Sequence, residues 1–481
     1  MRIAGPLFGG LAALLLLAPL LALLLRGLAH LAGSFGDWDV ALTSLLLAGG
    51  GTLLSLLAGL GLAYLSIVGG AGRWLEGLIL LSYLVPPFVT GIGLLFTLQT
   101  FGLKAYGVPG ILLAWLLHYT PLAYLLLKPQ LRSVLLLLHA AEVHGVRGIR
   151  RLKVLFPPLA PALLVAGGTV YIALLGNFGV PAVLGVPDRV YVLPTLAYAR
   201  LTSSLSPDPL GQAAALALWL GLLALPALLL GQAPMVEAAA EREREPRLWA
   251  RGLLLGYGLA ALGLSTLGLL REALQNPYSG ALEPAFRAAW ELPLVRQGLQ
   301  NSLLLAGVTT VLLVTLALAL RPFPGLLRSL RGLLDVYYLL PGTLLGIGLI
   351  LLLAPTPLYG TPWLLLLAYL LHLSPLALRA LESGARVEGL VLAARTHGLA
   401  APRAWLRVGY PPLLAPAFAA GFLIFPLALS ELTLSALLYA PGAETLGVAV
   451  LSALNGGLYR EAAAIGLALM GFSALALLGR R

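Results

Sequence analysis

HAAEVHGVRGIRRLKVLFPP, from His139 to Pro158, places Arg147, Arg150, Arg151 and Lys153 side by side in a chain of which only 10% is charged. A close copy returns from Leu392 to Pro412 as LAARTHGLAAPRAWLRVGYPP. Both run Ala-Ala, three residues, Gly, then basic residues among apolar ones, then Pro-Pro-Leu. In the first copy Gly145 permits a bend that other residues resist, and Ala140 with Ala141 lets a partner approach closely. Pro157 and Pro158 are expected to stop the helix, so the expected shape is a hairpin of short helices at a membrane surface. Membrane orientation accounts for the positive charge of one such loop. It does not account for Ala-Ala-x-x-x-Gly and Pro-Pro-Leu at matched spacing in two.

Outward from these loops the chain is apolar. Of 481 residues 60% are hydrophobic, and there is no cysteine, which excludes a disulfide framework or a thiolate metal site. A bilayer core of ~30 Å takes ~20 apolar helical residues to cross, because backbone polar groups in lipid must bond within their own segment. Twelve stretches meet that need: Pro6 to Leu31, Leu42 to Val68, Leu75 to Phe101, Val108 to Leu127, Leu159 to Gly179 and Pro209 to Gly231 in the first half. Gly252 to Leu270, Gln300 to Leu320, Leu327 to Ala354, Pro362 to Leu378, Leu413 to Leu434 and Glu461 to Gly479 follow in the second. The first stretch is expected to be retained, being longer than a signal-peptide core and lacking an A-x-A site. The formal net charge of +11 sits mostly in alternate loops, as the positive-inside rule requires, so it sets orientation with both termini cytoplasmic and argues against nucleic acid.

The loops belong to a longer repeat. LLLAG occurs at Leu45 and at Leu303; PPFVTGIGLL at Pro86 answers LPGTLLGIGLI at Leu340; LLHYTPLA at Leu116 answers LLHLSPLA at Leu370. Six crossings separate equivalent helices, so the copies are parallel and related by an axis along the membrane normal. The expected organisation is a first transmembrane half over residues 1–231, a cytoplasmic linker over 232–250 and a second half over 251–481. The linker's VEAAAEREREPR reads as a solvated helical face. None of Lys104, Lys128 and Lys153 follows a glycine, so a G-x-x-x-x-G-K-[ST] phosphate loop is absent; HExxH and GxSxG are absent too. The chain is therefore expected to be no enzyme, with no cofactor and no metal site of its own.

These features resemble the membrane subunits of binding-protein-dependent ABC importers, whose cytoplasmic EAA loop reads roughly Glu-Ala-Ala, three residues, Gly, then about a dozen residues to a Leu-Pro. The matching residues are Ala140, Ala141, Gly145 and Pro157 or Pro158, and again Ala393, Ala394, Gly398 and Pro411; the leading Glu is replaced by His139 and Leu392. Glu142 and Glu388 lie three and four residues from those positions, near enough to substitute on a helical face. The resemblance implies an all-α type I permease fold, and loops 139–158 and 392–412 that insert into two separate ATPase subunits carrying the ATP and magnesium. It also implies a periplasmic or lipid-anchored solute-binding protein, and a bacterial plasma (inner) membrane location. Two halves fused in one chain look like ferric-iron permeases and, less often, thiamine permeases. GNFGVPAVLGVPDRVYVLPTLAY from Gly176 and SELTLSALLYAPGAETLGVAV from Ser430 are similar to segments of the ferric-iron type.

Three sets of polar residues stand out inside the apolar stretches. His118 and His372, just before Pro121 and Pro375, are expected to make helix-to-helix hydrogen bonds, since Fe(III) prefers hard oxygen donors to isolated imidazoles. Glu431 and its repeat partner Asn177 are expected to border a substrate path late in two crossings, because an intramembrane carboxylate faces protein or water. Asp335 is expected to pair with Arg331. A secondary carrier, the rival from another class, would need an ion-coupling site, and the interior offers almost no acidic residues to build one.

Overall fold

Long apolar runs interrupted by Pro and Gly become helices throughout the computed structural model, which describes residues 4–230, 247–276, 279–327, 334, 336–337, 340–384 and 387–478. Among these residues the structure is helical, with one isolated β-bridge between Gln275 and Leu282. The first half builds α1 (Ala4–His30), α2 (Trp38–Gly69), α3 (Arg73–Leu84), α4 (Pro87–Thr100), α5 (Val108–Val143), α6 (Arg150–Leu175), α7 (Leu193–Leu201) and α8 (Pro209–Leu230). The second builds α9 (Leu248–Leu274), α10 (Phe286–Glu291), α11 (Pro293–Leu320), α12 (Gly342–Leu353), α13 (Pro362–Gly384), α14 (Glu388–Thr396) and α15 (Ala401–Ala404). It ends with α16 (Leu414–Leu429), α17 (Thr433–Leu438), α18 (Leu446–Asn455) and α19 (Tyr459–Leu478).

Eight of the described helices are long and apolar enough to cross a membrane, or nine if one bent pair is a single span. That pair is α3 with α4, which replace the expected straight crossing Leu75 to Phe101 and meet at 93°. Pro86 is the cause: it lacks an N–H and drives Val85 to an extended conformation (φ −63°, ψ 133°). Pro341, its repeat partner, precedes α12 with nearly the backbone of Pro86 (φ −53°, ψ 134° against φ −57°, ψ 137°). Much of the expected crossing before it, together with Asp335 and Arg331, lies outside the described residues, as does the linker from 232 to 246.

Two further expectations change. Pro157 and Pro158 do not stop a helix; with Pro161 they sit inside α6, near an end where Lys153 and Phe156 are exposed, so water can solvate the carbonyls they leave unpaired. In the second copy the corresponding stretch does lose α geometry, passing through a π turn at Trp405–Gly409 and a 3-10 turn at Pro411–Leu413. The expected crossings to Gly179 and Leu434 end earlier, at Leu175 and Leu429, and short helices follow them.

Lipid is as apolar as leucine, so helices in it associate through close packing and internal hydrogen bonds. The repeated Gly-Ile-Gly motifs supply the first. A Cβ on Gly348 of α12 would lie 2.7 Å from the Pro19 carbonyl of α1, and Gly93 of α4 is pressed still more closely against the Ser265 carbonyl of α9. Each half thus receives the first helix of the other. Buried serines supply the second. Ser44 Oγ of α2 accepts the Leu193 N–H at the start of α7 at 2.8 Å, and Ser302 Oγ of α11 accepts the Leu446 N–H at the start of α18 at 2.8 Å. Ser44→Ala is expected to cost about 1–2 kcal/mol, because it strands a buried helix-start donor. Thermal unfolding in detergent should show this, and Ser44→Thr, which keeps a hydroxyl, should largely prevent it.

Candidate transport cavity and coupling loops

The proline breaks at Pro86 and Pro341 and the helix ends at Gly176 and Ser430 surround a cavity of about 270 Å³ between the two halves. Its walls repeat in pairs: Pro86 with Pro341, His118 with His372, and Asn177 with Glu431. The pairing of Asn177 and Glu431 expected from the sequence therefore corresponds to a shared location. Neither is inside a helix, however. Each lies two residues beyond one, where the ended helix can turn its polar side chain.

Both act as caps on the segment that follows. Asn177 Oδ1 accepts the Val180 N–H at 3.0 Å and faces Trp115 Nε1 at 3.4 Å, while its Nδ2 donates to the Tyr119 hydroxyl at 2.8 Å. Glu431 accepts the backbone N–H groups of Leu434 and Ser435, both at 3.0 Å, and the Ser435 hydroxyl stands 3.4 Å from Oε2. That hydroxyl also meets Tyr369 at 2.7 Å. Trp115 and Tyr369 went unremarked in the sequence, although the repeat marks them: each stands immediately before a Leu-Leu-His. Glu431 is the only carboxylate among the described residues of the cavity wall, and no Lys or Arg joins it there. Its carboxyl group is held by amide dipoles and a hydroxyl, with no Lys or Arg opposite among the described residues.

The histidines do make the expected bonds between helices. The ring of His118 in α5 hydrogen-bonds the Ser82 carbonyl of α3, and His372 in α13 bonds the Tyr337 carbonyl. The other ring nitrogen, Nδ1, is buried without a partner in both. The carbonyls freed by the nearby prolines are satisfied separately: Tyr257 donates to the Leu117 oxygen at 2.9 Å, and Ser374 to the Leu371 oxygen at 3.1 Å. No group of three or more His, Asp or Glu able to hold a metal ion occurs among the described residues.

The two basic loops share one helix-ending turn. In the first, α5 ends with the Val146 N–H bonded to the Ala141 carbonyl at 3.1 Å and Gly145 N–H to Glu142 at 3.0 Å. In the second, Leu399 N–H bonds Ala394 at 3.1 Å and Gly398 N–H bonds Arg395 at 3.0 Å. This is a Schellman termination, and its left-handed residue is the motif glycine in both copies (φ +85° at Gly145, +91° at Gly398). Ala140 and Ala393 are exposed; Ala141 and Ala394 are half-buried. Val143 and Ile149 stand 85% and 79% exposed, so apolar as well as basic groups are offered outward. The copies differ in support. The first is a continuation of α5, whereas α14 is a separate helix tied to the end of α11 by Arg321 and Glu388 at 2.8 Å. Glu142 likewise pairs internally, with Arg151 at 3.1 Å, so both candidate replacements for the missing Glu are engaged within the chain.

No family model and no curated protein matches the chain, so its class rests on the residues and geometry described here.

Proposed function

We propose that this chain is the membrane-spanning subunit of a binding-protein-dependent ABC importer in a bacterial plasma membrane, and that its cargo is ferric iron. The observation that carries this reading is the pair of exposed loops, closed by the same glycine-terminated geometry and attached to helices that line one shared cavity. In the proposed assembly each loop seats in one of two ATPase subunits, which hold the ATP and magnesium. A solute-binding protein delivers cargo from the opposite face.

The mechanical link runs through α5. It is unbroken from His118 at the cavity to Ala140 at the loop, a rise of about 33 Å at 1.5 Å per residue, so displacement of the loop by a closing ATPase reaches the cavity wall along one element. In the second half Arg321 and Glu388 serve instead as the tie between loop helix and α11. At the cavity, the lone carboxylate of Glu431 lowers the barrier for a cation without supplying the several ligands that would trap it. That favours a cationic cargo over an anionic one, and a path over a storage site.

The detergent-purified chain is expected to hydrolyse no ATP by itself and to acquire hydrolysis when a separate nucleotide-binding subunit is added, at one chain to two ATPases. Intrinsic hydrolysis by the pure chain, or ion-gradient-driven uptake without any ATPase, would remove the assignment.

A further inference from the structure

The fifth crossing of each half meets the last helix of that half, but not in the same way. Counted from the shared Pro-Pro-Leu, Gly167 corresponds to Gly421, Gly168 to Phe422 and Tyr171 to Phe425. In the first half α6 and α8 touch: a Cβ on Gly168 would lie 2.9 Å from the Ala227 carbonyl oxygen, and the Tyr171 hydroxyl donates to the Leu223 carbonyl at 3.2 Å. A phenyl ring cannot enter such a backbone contact. With Phe422 at that place, α16 and α19 pack less closely than α6 and α8, and a groove of about 590 Å³ opens between them and α11.

Phe418, Phe422, Phe425 and Phe472 line this groove, and Thr310 and Thr315 are its only polar side chains among the described residues. It opens outward, since Phe418 is 68% and Leu475 60% exposed, on a flank whose neighbours Val311 and Leu312 are exposed too. In a membrane-embedded chain that flank meets hydrocarbon. Along α16 the groove runs from Leu414 to Pro426, about 18 Å of helix, close to the ~15 Å depth of one leaflet's hydrocarbon. An empty groove there would forfeit contacts that an acyl chain supplies. Seven and eleven residues before Leu414, Arg407 and Arg403 are exposed, and neither has a carboxylate partner among the described residues. Basic side chains at that level, where headgroups lie, attract anionic lipid.

We propose that the second half alone carries a bound anionic phospholipid, its acyl chain lying between α11, α16 and α19 and its phosphate on Arg403 and Arg407. The site depends on membrane embedding and on no assumption about cargo. Native mass spectrometry of the full chain, offered phosphatidylglycerol and phosphatidylcholine of equal chain length in mixed micelles, tests it. One phosphatidylglycerol per chain is expected to be retained, at least about fivefold in preference to phosphatidylcholine. Gly421→Leu should abolish retention: its Cβ would meet Thr310 Cγ2 at an ordinary 3.5 Å, and the rest of the side chain would fill the groove. Arg403→Gln with Arg407→Gln should keep a lipid but lose the headgroup preference. Equal retention of both lipids by the unsubstituted chain, retention unchanged by Gly421→Leu, or a lipid-free dimer whose second copy fills the groove would each overturn the proposal.

Discussion

A chain carrying both Gly145→Val and Gly398→Val is expected to insert and fold, yet to lose at least about tenfold of its transport-coupled ATP turnover. Nothing in the structure stands within 4 Å of a Cβ at either position, so the substitutions create no clash inside the chain. They do place a β-branched residue at φ +85° and +91°, in the left-handed region that costs such residues about 1–2 kcal/mol each. The loop relieves that strain by unwinding the Schellman turn, which moves Ala140, Ala141, Ala393 and Ala394 relative to the helices that carry them. A shift of 1.4 kcal/mol in the population of the competent loop is a factor of ten. Asn tolerates left-handed backbone far better, so Gly145→Asn with Gly398→Asn should retain most of the turnover. Normal coupled turnover in the valine pair, measured with the ATPase and binding protein in proteoliposomes, would mean that loop geometry does not set coupling.

The glycines of the loops were legible because their role is local: a left-handed residue four positions after Ala-Ala ends a helix whatever surrounds it. The Gly-Ile-Gly repeats were visible as repeats only, since the carbonyls they meet, at Ser265 and Pro19, belong to the opposite half of the chain. Hydropathy over twenty residues passed straight across Val85 and Pro86, because a sharp bend buried in protein leaves composition unchanged. α7 and α18 escaped for a related reason. Each has 10 residues or fewer, too few to count as a crossing, and each begins on a donor satisfied by a serine more than 140 residues away. Asn177 and Glu431 were found by repeat position and placed in helices by apolar count. Their true place, just past the helix ends, follows from their own chemistry, since a side-chain oxygen that caps the next segment belongs where one helix has stopped. That His118 and His372 share the cavity with them could not be read from either helix alone, because which face of a buried helix meets a void depends on every neighbour.

Glu431→Gln is expected to slow iron uptake by at least about tenfold while expression, unfolding temperature and assembly with the ATPase stay near those of the unsubstituted chain. The carboxylate faces a cavity with no Lys or Arg among the described residues of its wall, so in the proposed function its charge acts on the ion that enters. Raising the barrier by only about 1.4 kcal/mol already gives a tenfold slower step. The same side chain is also a cap, receiving the Leu434 and Ser435 N–H groups, and a purely structural role would slow uptake by loosening that turn. The repeat allows the two roles to be separated. Asn177 occupies the matching place in the other half, with an N–H at Val180 to cap and the Tyr119 hydroxyl able to donate to a carboxylate. Asn177→Asp added to Glu431→Gln returns one negative charge to the same cavity without repairing the altered cap. If charge in the path sets the rate, uptake should recover in the double variant. If it remains as slow as in Glu431→Gln, Glu431 is a cap and no more; if thiamine enters and iron does not, the cargo assignment is wrong while the carboxylate's placement stands.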